Sequence, residues 1–134
     1  MKDILTFLMF SSENHGKAKQ AIDFYISLFP NARIDKIDLW GPDEGQSEGL
    51  VKTAVFTLNG RRFMASENNF PHPFNFTPSM SIFVECETED ELDRLYAALS
   101  EGGKALMPLG DYGFSRRFGW IADRFGVSWQ INLA

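Results

Sequence analysis

The sequence predicts an α+β fold in which a βαβββ unit occurs twice in tandem. Two segments carry apolar residues at helical spacing, each follows a short strand-like run, and each half of the chain closes with a hairpin pattern that turns at a glycine. A chain of 134 residues has the size of one domain. We therefore expect a single domain over residues 1–134, with module one at about 1–68, a connector at 69–77 and module two at about 78–134.

Module one begins with the apolar run Ile4–Phe10, which is short and precedes the polar segment SSENHG, as expected of a buried strand. The segment KAKQAIDFYISLFP then predicts an amphipathic helix that ends before Pro30. Its apolar face is formed by residues at helical spacing: Ala18, Ala21, Ile22, Tyr25, Leu28 and Phe29.

Three strands complete module one. The segment ARIDKIDLW alternates between polar and apolar residues, and the polar loop GPDEGQSEG follows it. The segment KTAVFTLNGRRFMASE is the strongest hairpin signal in the chain, because Asn59 and Gly60 suit a two-residue turn with positive φ.

Module two repeats this order, starting with a strand in SMSIFVECE. Thr88 and Glu91 form a capping box that starts a helix, and Gly102 and Gly103 end it. The apolar face of this helix consists of Leu92, Leu95, Tyr96 and Leu99. A strand in KALMPL, a loop in DYGFS and a closing hairpin in RFGWIADRFGVSWQINL follow.

The two modules can be aligned although their identity is weak. Tyr25 and Tyr96 occupy matching helix positions. The residue four positions after the hairpin glycine is Met64 after Gly60 and Gln130 after Gly126, so these two residues also match.

Alternation along the first and last strand of each module predicts which side chains face the helix and which face away. The residues expected on the helix side are Ile4, Leu8, Phe10, Met80, Ile82 and Val84. Those expected on the opposite side are Leu5, Phe7, Met9, Arg62, Met64, Ser66, Ser79, Ser81, Phe83, Ser128, Gln130 and Asn132.

Composition excludes several classes of function. The net charge is -5 without a basic block, which argues against a nucleic-acid-binding surface. The first ten residues are too short for a signal peptide or a membrane span and include Asp3, so we expect a cytoplasmic protein with no membrane partner. The single cysteine, Cys86, excludes an internal disulfide, and we expect it to be a small buried hydrophobic residue.

Four stretches, FLMF, AIDFYISLFPNA, LSEGGKALMPLGDYGFSRRFGW and ADRFGVSWQIN, carry a resemblance to a known superfamily. The chain resembles the vicinal oxygen chelate superfamily of glyoxalases, bleomycin resistance proteins and dioxygenases, and within it the bacterial-type PhnB-like group, often labelled demethylubiquinone methyltransferase. The resemblance implies modules that curl into half-barrels and enclose a cavity. The chain has no glycine-rich turn from a strand to a helix that would hold the nucleotide of a methyl donor.

The resemblance also implies four metal-ligand positions, on the first and last strand of each module. In this sequence they are Leu5, Met64, Ser79 and Gln130. A shift of one residue on the first strand would substitute Thr6. Because only Gln130 is a plausible ligand for a divalent ion, we expect no metal and no other cofactor.

The sequence thus predicts a protein that binds a small, partly apolar or aromatic molecule in a metal-free cavity. The residues predicted to bind the ligand are Phe7, Met9, Met64, Ser79, Ser81, Phe83, Trp120 and Gln130. The alternatives are a metal-dependent lyase, isomerase or dioxygenase, and an interaction module without a ligand. The sequence leaves open the identity of the ligand and whether the protein is an enzyme.

Other polar residues have a structural and a functional interpretation. We expect His15 and His72 to be solvated loop residues, and Glu67 to be a charge at a strand end unless it has a chemical role. Arg116 or Arg117 either binds an anionic ligand or pairs with a nearby aspartate, Asp111.

The chain contains 13 Phe, 3 Trp and 3 Tyr, more aromatic residues than a core of this size needs. Part of the excess lies in the connector NNFPHPFNFTP, and large exposed apolar patches usually mark a partner surface. We therefore expect a homodimer, with Phe70, Phe74 and Phe76 as interface candidates.

Overall fold

The computed structural model describes the whole chain, Met1–Ala134. The chain divides into two compact units, Met1–Asn75 and Phe76–Ala134. They are called module one and module two from here on. Both have the predicted βαβββ order, so the predicted α+β class with two tandem modules is confirmed.

Module one contains one helix and four strands, with a short 3-10 turn at Ser12–Asn14. Its elements are β1 (Thr6–Phe10), α1 (Ala18–Leu28), β2 (Arg33–Leu39), β3 (Val51–Leu58) and β4 (Arg61–Glu67). The strand order in its sheet is β1-β4-β3-β2, in which β1 and β4 are parallel and the other pairs are antiparallel.

Module two has the same topology. Its elements are β5 (Ile82–Glu85), α2 (Glu89–Ser100), β6 (Lys104–Gly110), β7 (Arg117–Ala122) and β8 (Ser128–Leu133). The strand order is β5-β8-β7-β6, again with only the first pair parallel.

Helix α1 buries the predicted apolar face through Ala18, Ala21, Ile22 and Tyr25. Its N-cap residue, Lys17, offers no side-chain hydrogen bond to the exposed amides of the first turn.

The carboxylate of Glu67, at the end of β4, takes the place of that cap. Its Oε1 accepts hydrogen bonds from the amides of Gly16 at 2.7 Å and Ala18 at 3.4 Å, while Oε2 accepts from the amide of Val51 at 2.8 Å. Glu67 is only 1% exposed. It was predicted as a charge at a strand end, and the structure shows a buried acceptor that joins three segments of module one.

Helix α2 starts at the predicted capping box. Thr88 Oγ1 accepts from the Glu91 amide at 3.1 Å, and Glu91 Oε1 accepts from the Glu87 amide at 2.9 Å. Both caps of this helix start come from residues close in sequence. The helix buries Leu92, Leu95 and Leu99 against its sheet.

The hairpin prediction for module one is confirmed at its turn. Asn59 and Gly60 have φ values of 47° and 77°, the positive pair that a two-residue turn of this type requires. In module two, Asp123 closes the turn between β7 and β8 by accepting from the amides of Phe125 and Val127 and from Trp129 Nε1.

Two residues that were expected on the helix side of a sheet do not lie there. Ile4 is 81% exposed because β1 begins only at Thr6, and Met80 is 74% exposed because β5 begins only at Ile82. Met80 instead lies in a turn in which its amide donates to the carbonyl oxygen of Thr77. In both segments the alternation of the sequence extends beyond the residues that pair with a neighbouring strand. Unpaired residues are not part of the sheet, so alternation does not determine which way their side chains point.

Candidate functional site

Each sheet carries its helix on one face, and the opposite face is called the open face. Strand register places equivalent residues in the middle row of each open face. Across the sheet of module one, from β1 to β2, this row is Phe7, Met64, Val55 and Lys36. Across the sheet of module two, from β5 to β6, it is Phe83, Gln130, Trp120 and Met107. The predicted equivalence of Met64 and Gln130 is confirmed, since each lies beside a phenylalanine of the parallel first strand.

The open face of module one is apolar at its centre. Phe7 is half-exposed, and Met9 and Met64 are partly buried. The hydroxyl of Ser66, two residues beyond Met64 in β4, donates to the carbonyl oxygen of Lys52 at 2.7 Å. This face therefore offers a ligand apolar contact but no free polar group beside Met64.

The open face of module two carries a chain of polar side chains. Trp120 Nε1 donates to Ser128 Oγ at 2.8 Å, the hydroxyls of Ser128 and Ser81 lie 2.7 Å apart, and Gln130 Nε2 donates to Ser81 Oγ at 3.2 Å. Ser128 is buried, whereas Ser81, Trp120 and Gln130 are partly exposed. These four residues are called the serine network.

An aromatic cluster adjoins the serine network. Phe118 is buried at its centre, with ring centroids of Phe114 at 5.1 Å, Tyr112 at 6.2 Å and Phe83 at 6.5 Å. These three outer rings are exposed. An apolar wall thus lies beside a small group of polar atoms, a combination typical of ligand-binding surfaces.

Next to Phe118 in register, Asn132 is buried on the same face. Its Nδ2 donates to both carboxylate oxygens of Glu85, at 3.2 and 3.0 Å, and its Oδ1 is buried without a hydrogen-bond partner. Glu85 is thereby held at the edge of the aromatic cluster.

Nearly the whole sequence matches the model of one protein family. The model of the 3-demethylubiquinone-9 3-methyltransferase family aligns with residues 2–132. The chain belongs to this family.

Solved structures extend this result. The PhnB protein from Bacillus cereus is 47% identical, with a TM-score of 0.93 over 99% of this chain and 100% of that one. Protein PA1353 from Pseudomonas aeruginosa is 27% identical, with a TM-score of 0.81 over 99% and 98% of the two chains. A glyoxylase/bleomycin resistance protein/dioxygenase domain from Frankia sp. EAN1pec shares the fold at 11% identity, with a TM-score of 0.64 over 100% and 93%. A search among curated proteins finds no match.

These similarities confirm the predicted PhnB-like group and the glyoxalase/bleomycin resistance fold of this family member. Neither helix of the chain is long and apolar enough to cross a membrane.

The structure brings together part of the predicted ligand site. Ser81, Trp120 and Gln130 belong to the serine network, and Phe83 lies beside Gln130 in register. Ser79 does not join them, because it precedes β5 and its hydroxyl lies 2.7 Å from that of Thr77.

On module one, Phe7, Met9 and Met64 share the open face as predicted. The ligand-binding role of all these residues stays a prediction. Sequence reasoning missed Ser128 as a member of the site, although its alternation with Gln130 in the closing strand placed both on one face.

The four positions at which the resemblance implies metal ligands do not fit a metal in this chain. Leu5 has no donor atom, Met64 offers only a thioether, and the Ser79 hydroxyl is engaged by Thr77. No group of three or more His, Cys, Asp or Glu side chains in the chain is arranged to hold a metal ion.

Cys86 is also a poor ligand, because only a thiolate binds a metal well. Burial, with a smaller contribution from the carboxylates of Glu91 and Glu85, raises the pKa of its thiol to about 11. The predicted role as a small buried residue is confirmed.

The remaining candidates have structural partners. Arg117 Nη1 lies 2.6 Å from Asp93 Oδ1, and Arg116 Nε donates to the carbonyl oxygen of Ala134 at 2.7 Å. The alternative of pairing with Asp111 is wrong, because Asp111 instead accepts from the Gly113 amide.

His72 is not the freely solvated loop residue that the sequence predicted. Its Nε2 lies 3.2 Å from Asn68 Oδ1, and its ring is flanked by Phe70 and Phe74 at centroid distances of 5.9 and 5.2 Å. His15 is half-buried beside the 3-10 turn, where its amide donates to the carbonyl oxygen of Ser12.

Proposed function

We propose that this family member binds a small, partly aromatic or apolar molecule on the open face of module two, without a metal. The observation that carries the proposal is the serine network beside Phe83 and the other exposed rings of the aromatic cluster. A ligand's apolar body would cover Phe83 and Trp120, and its polar group would meet Ser81 and Gln130. Apolar contact supplies most of the affinity of such sites, while a few polar groups fix the orientation.

The same geometry favours binding over nucleophilic catalysis. A serine nucleophile needs an adjacent base such as histidine. Ser81 and Ser128 contact each other, Gln130 and Trp120, none of which can remove a proton from a hydroxyl at neutral pH.

The test is a screen of small aromatic molecules, followed by the indole and side-chain amide signals in proton–nitrogen NMR spectra. We expect shifts at the indole of Trp120 and the amide of Gln130, while the indole of Trp129 stays in place because it is buried and bonded to Asp123. Trp120→Phe identifies the Trp120 signal. Shifts confined to module one would contradict the proposal.

The matched control is Met64→Leu, which changes the equivalent position of module one and leaves the serine network intact. We expect every molecule that shifts Trp120 in the parent protein to shift it in this variant as well. A loss of those shifts in Met64→Leu would show that the site is not the one proposed.

We also infer that the protein is a homodimer in the cytoplasm. Phe70 and Phe74 are 71% and 56% exposed and are joined through His72 into one apolar surface of module one. Burying such a surface against a second copy would remove it from water. The free thiol of Cys86 suits a reducing compartment.

Sedimentation equilibrium at micromolar concentration tests the dimer. We expect a mass near twice the 15.2 kDa of one chain, falling towards one chain in Phe74→Asp. A mass near 15.2 kDa for the parent protein would contradict it.

A further inference from the structure

We propose that the ligand of the serine network is an uncharged molecule that presents a hydrogen-bond acceptor and a donor side by side, as a carboxamide or a lactam does. This inference rests on the proposed function and adds the chemical class of the ligand. It follows from counting hydrogens and charges around Ser81 and Gln130.

With the Gln130 amide oriented so that Nε2 donates to Ser81 Oγ, the serine network has one hydroxyl hydrogen too many for its own acceptors. Trp120 donates to Ser128 and Gln130 donates to Ser81, so both hydroxyl oxygens already act as acceptors. Each hydroxyl carries one hydrogen. Only one of the two hydrogens can lie between the oxygens, which are 2.7 Å apart, and no other acceptor in the chain contacts either hydroxyl.

The surplus hydrogen belongs on the accessible hydroxyl. Ser128 is buried and Ser81 is partly exposed. When Ser128 donates to Ser81, the hydrogen of Ser81 is left to point away from the sheet. The site therefore offers one hydroxyl donor, for which a ligand oxygen is the matching group.

Gln130 supplies the complementary acceptor. In this orientation Nε2 donates to Ser81 Oγ, and Oε1 receives no hydrogen bond from the chain. A ligand that accepts from Ser81 and donates to Gln130 satisfies both atoms. An amide group carries an acceptor and donors in one plane and can do this with a single group.

Charges around the site disfavour an anionic ligand. The row Phe83, Gln130, Trp120 and Met107 carries no charge. A carboxylate ligand would face the carbonyl oxygen of Gln130, with the carboxylate of Glu85 in the next row.

A cationic ligand would leave the hydroxyl hydrogen of Ser81 without an acceptor.

The nearest cation in register with Ser128 is Lys104, which lies beyond Ala122. Two strand spacings amount to about 10 Å, at which exposed charges are largely screened. Lys104 therefore does little to favour an anion.

Three probes with the same ring test the inference: benzamide, benzoate and toluene. Each is titrated into the protein, and the shift of the Trp120 indole signal gives its dissociation constant. We expect benzamide to bind about tenfold more tightly than benzoate or toluene, the difference that one or two satisfied hydrogen bonds produce.

The variant Gln130→Leu removes the acceptor and keeps the size of the side chain. We expect it to weaken benzamide about tenfold and to leave toluene unchanged. The Trp129 indole signal reports that the variant is folded, and Met64→Leu is the control that should alter neither probe.

Each result has a distinct meaning. If all three probes shift Trp120 with equal affinity, or benzoate binds best, the inference on ligand class is overturned while the proposed site stands. If none of these probes and no molecule of the aromatic screen shifts Trp120, the proposed function itself fails.

Discussion

The two modules share topology and register but differ on their open faces. Met64 and Gln130 occupy equivalent positions, each beside a phenylalanine, yet the Met64 side chain has no hydrogen-bond donor and Gln130 belongs to the serine network. The helix-facing sides of both sheets are mostly apolar and buried, with Glu67 as the charged exception. Packing against the helix thus constrains one face of each sheet, and the other face is free to acquire different chemistry.

The helix starts of the two modules differ in a similar way. Helix α2 is capped by Thr88 and Glu91, which lie at its own start, whereas α1 depends on Glu67 from the last strand of the module. A local cap stabilises only its helix. A distant cap also couples that helix to β3 and β4.

The largest expected effect is at Glu67. Replacing it by alanine removes the acceptor of the partly buried Gly16 amide and of the buried amides of Ala18 and Val51, and each unsatisfied buried group costs about 1–3 kcal/mol. We expect Glu67→Ala to lower the free energy of unfolding by about 3 kcal/mol or more, measured by urea denaturation. Glu67→Gln, which keeps one acceptor oxygen, should lose less. Equal losses in the two variants would contradict the capping role.

A smaller effect is expected at Gly119, which is equivalent in register to Ala54 of module one. A Cβ at Gly119 would lie 2.7 Å from the ring of Tyr96. We expect Gly119→Ala to cost about 1–3 kcal/mol through overpacking.

The second variant Tyr96→Leu should recover part of that loss in the double mutant, because it removes the ring. Strictly additive effects in the double-mutant cycle would contradict a clash between these two residues.

Thr88→Ala removes the local cap of α2. We expect a loss of about 1 kcal/mol in unfolding free energy, the usual cost of losing such a cap. Thr88→Ser retains the hydroxyl and serves as the control, with nearly parental stability. If Thr88→Ala lowered the free energy of unfolding as much as Glu67→Ala, the local cap of α2 and the distant cap of α1 would not differ as described.

We expect no bound metal ion, and therefore no change in the protein when metal ions are removed. Elemental analysis of protein purified without chelator should find far less than one equivalent of Ni, Zn, Mn or Fe, because the donor set around Gln130 is neutral and incomplete. About one equivalent that disappears in Gln130→Ala would favour the metal-dependent alternative.

Local signals were sufficient for most of the fold. The Asn59–Gly60 turn and the Thr88 capping box each act within a few residues, so a single stretch of sequence reveals them. The role of Glu67 was not visible, because two of its donors lie about fifty residues earlier and no local pattern links them.

The site residues could be predicted where they lie in a strand that is paired with its neighbours. Alternation in β8 placed Gln130 on the open face, and the register then brought Ser81 and Trp120 to it. The same alternation failed at Ser79 and Met80, because a sequence pattern does not show where β5 begins to pair.

The central claim is that the open face of module two, and not that of module one, binds a small molecule. A crystal structure of the protein grown with benzamide tests it most directly. We expect density for the amide within hydrogen-bond distance of Ser81 Oγ and Gln130 Oε1, with the ring against Phe83 or Trp120. Density that contacts Phe7 and Met64 but none of the serine network would contradict it.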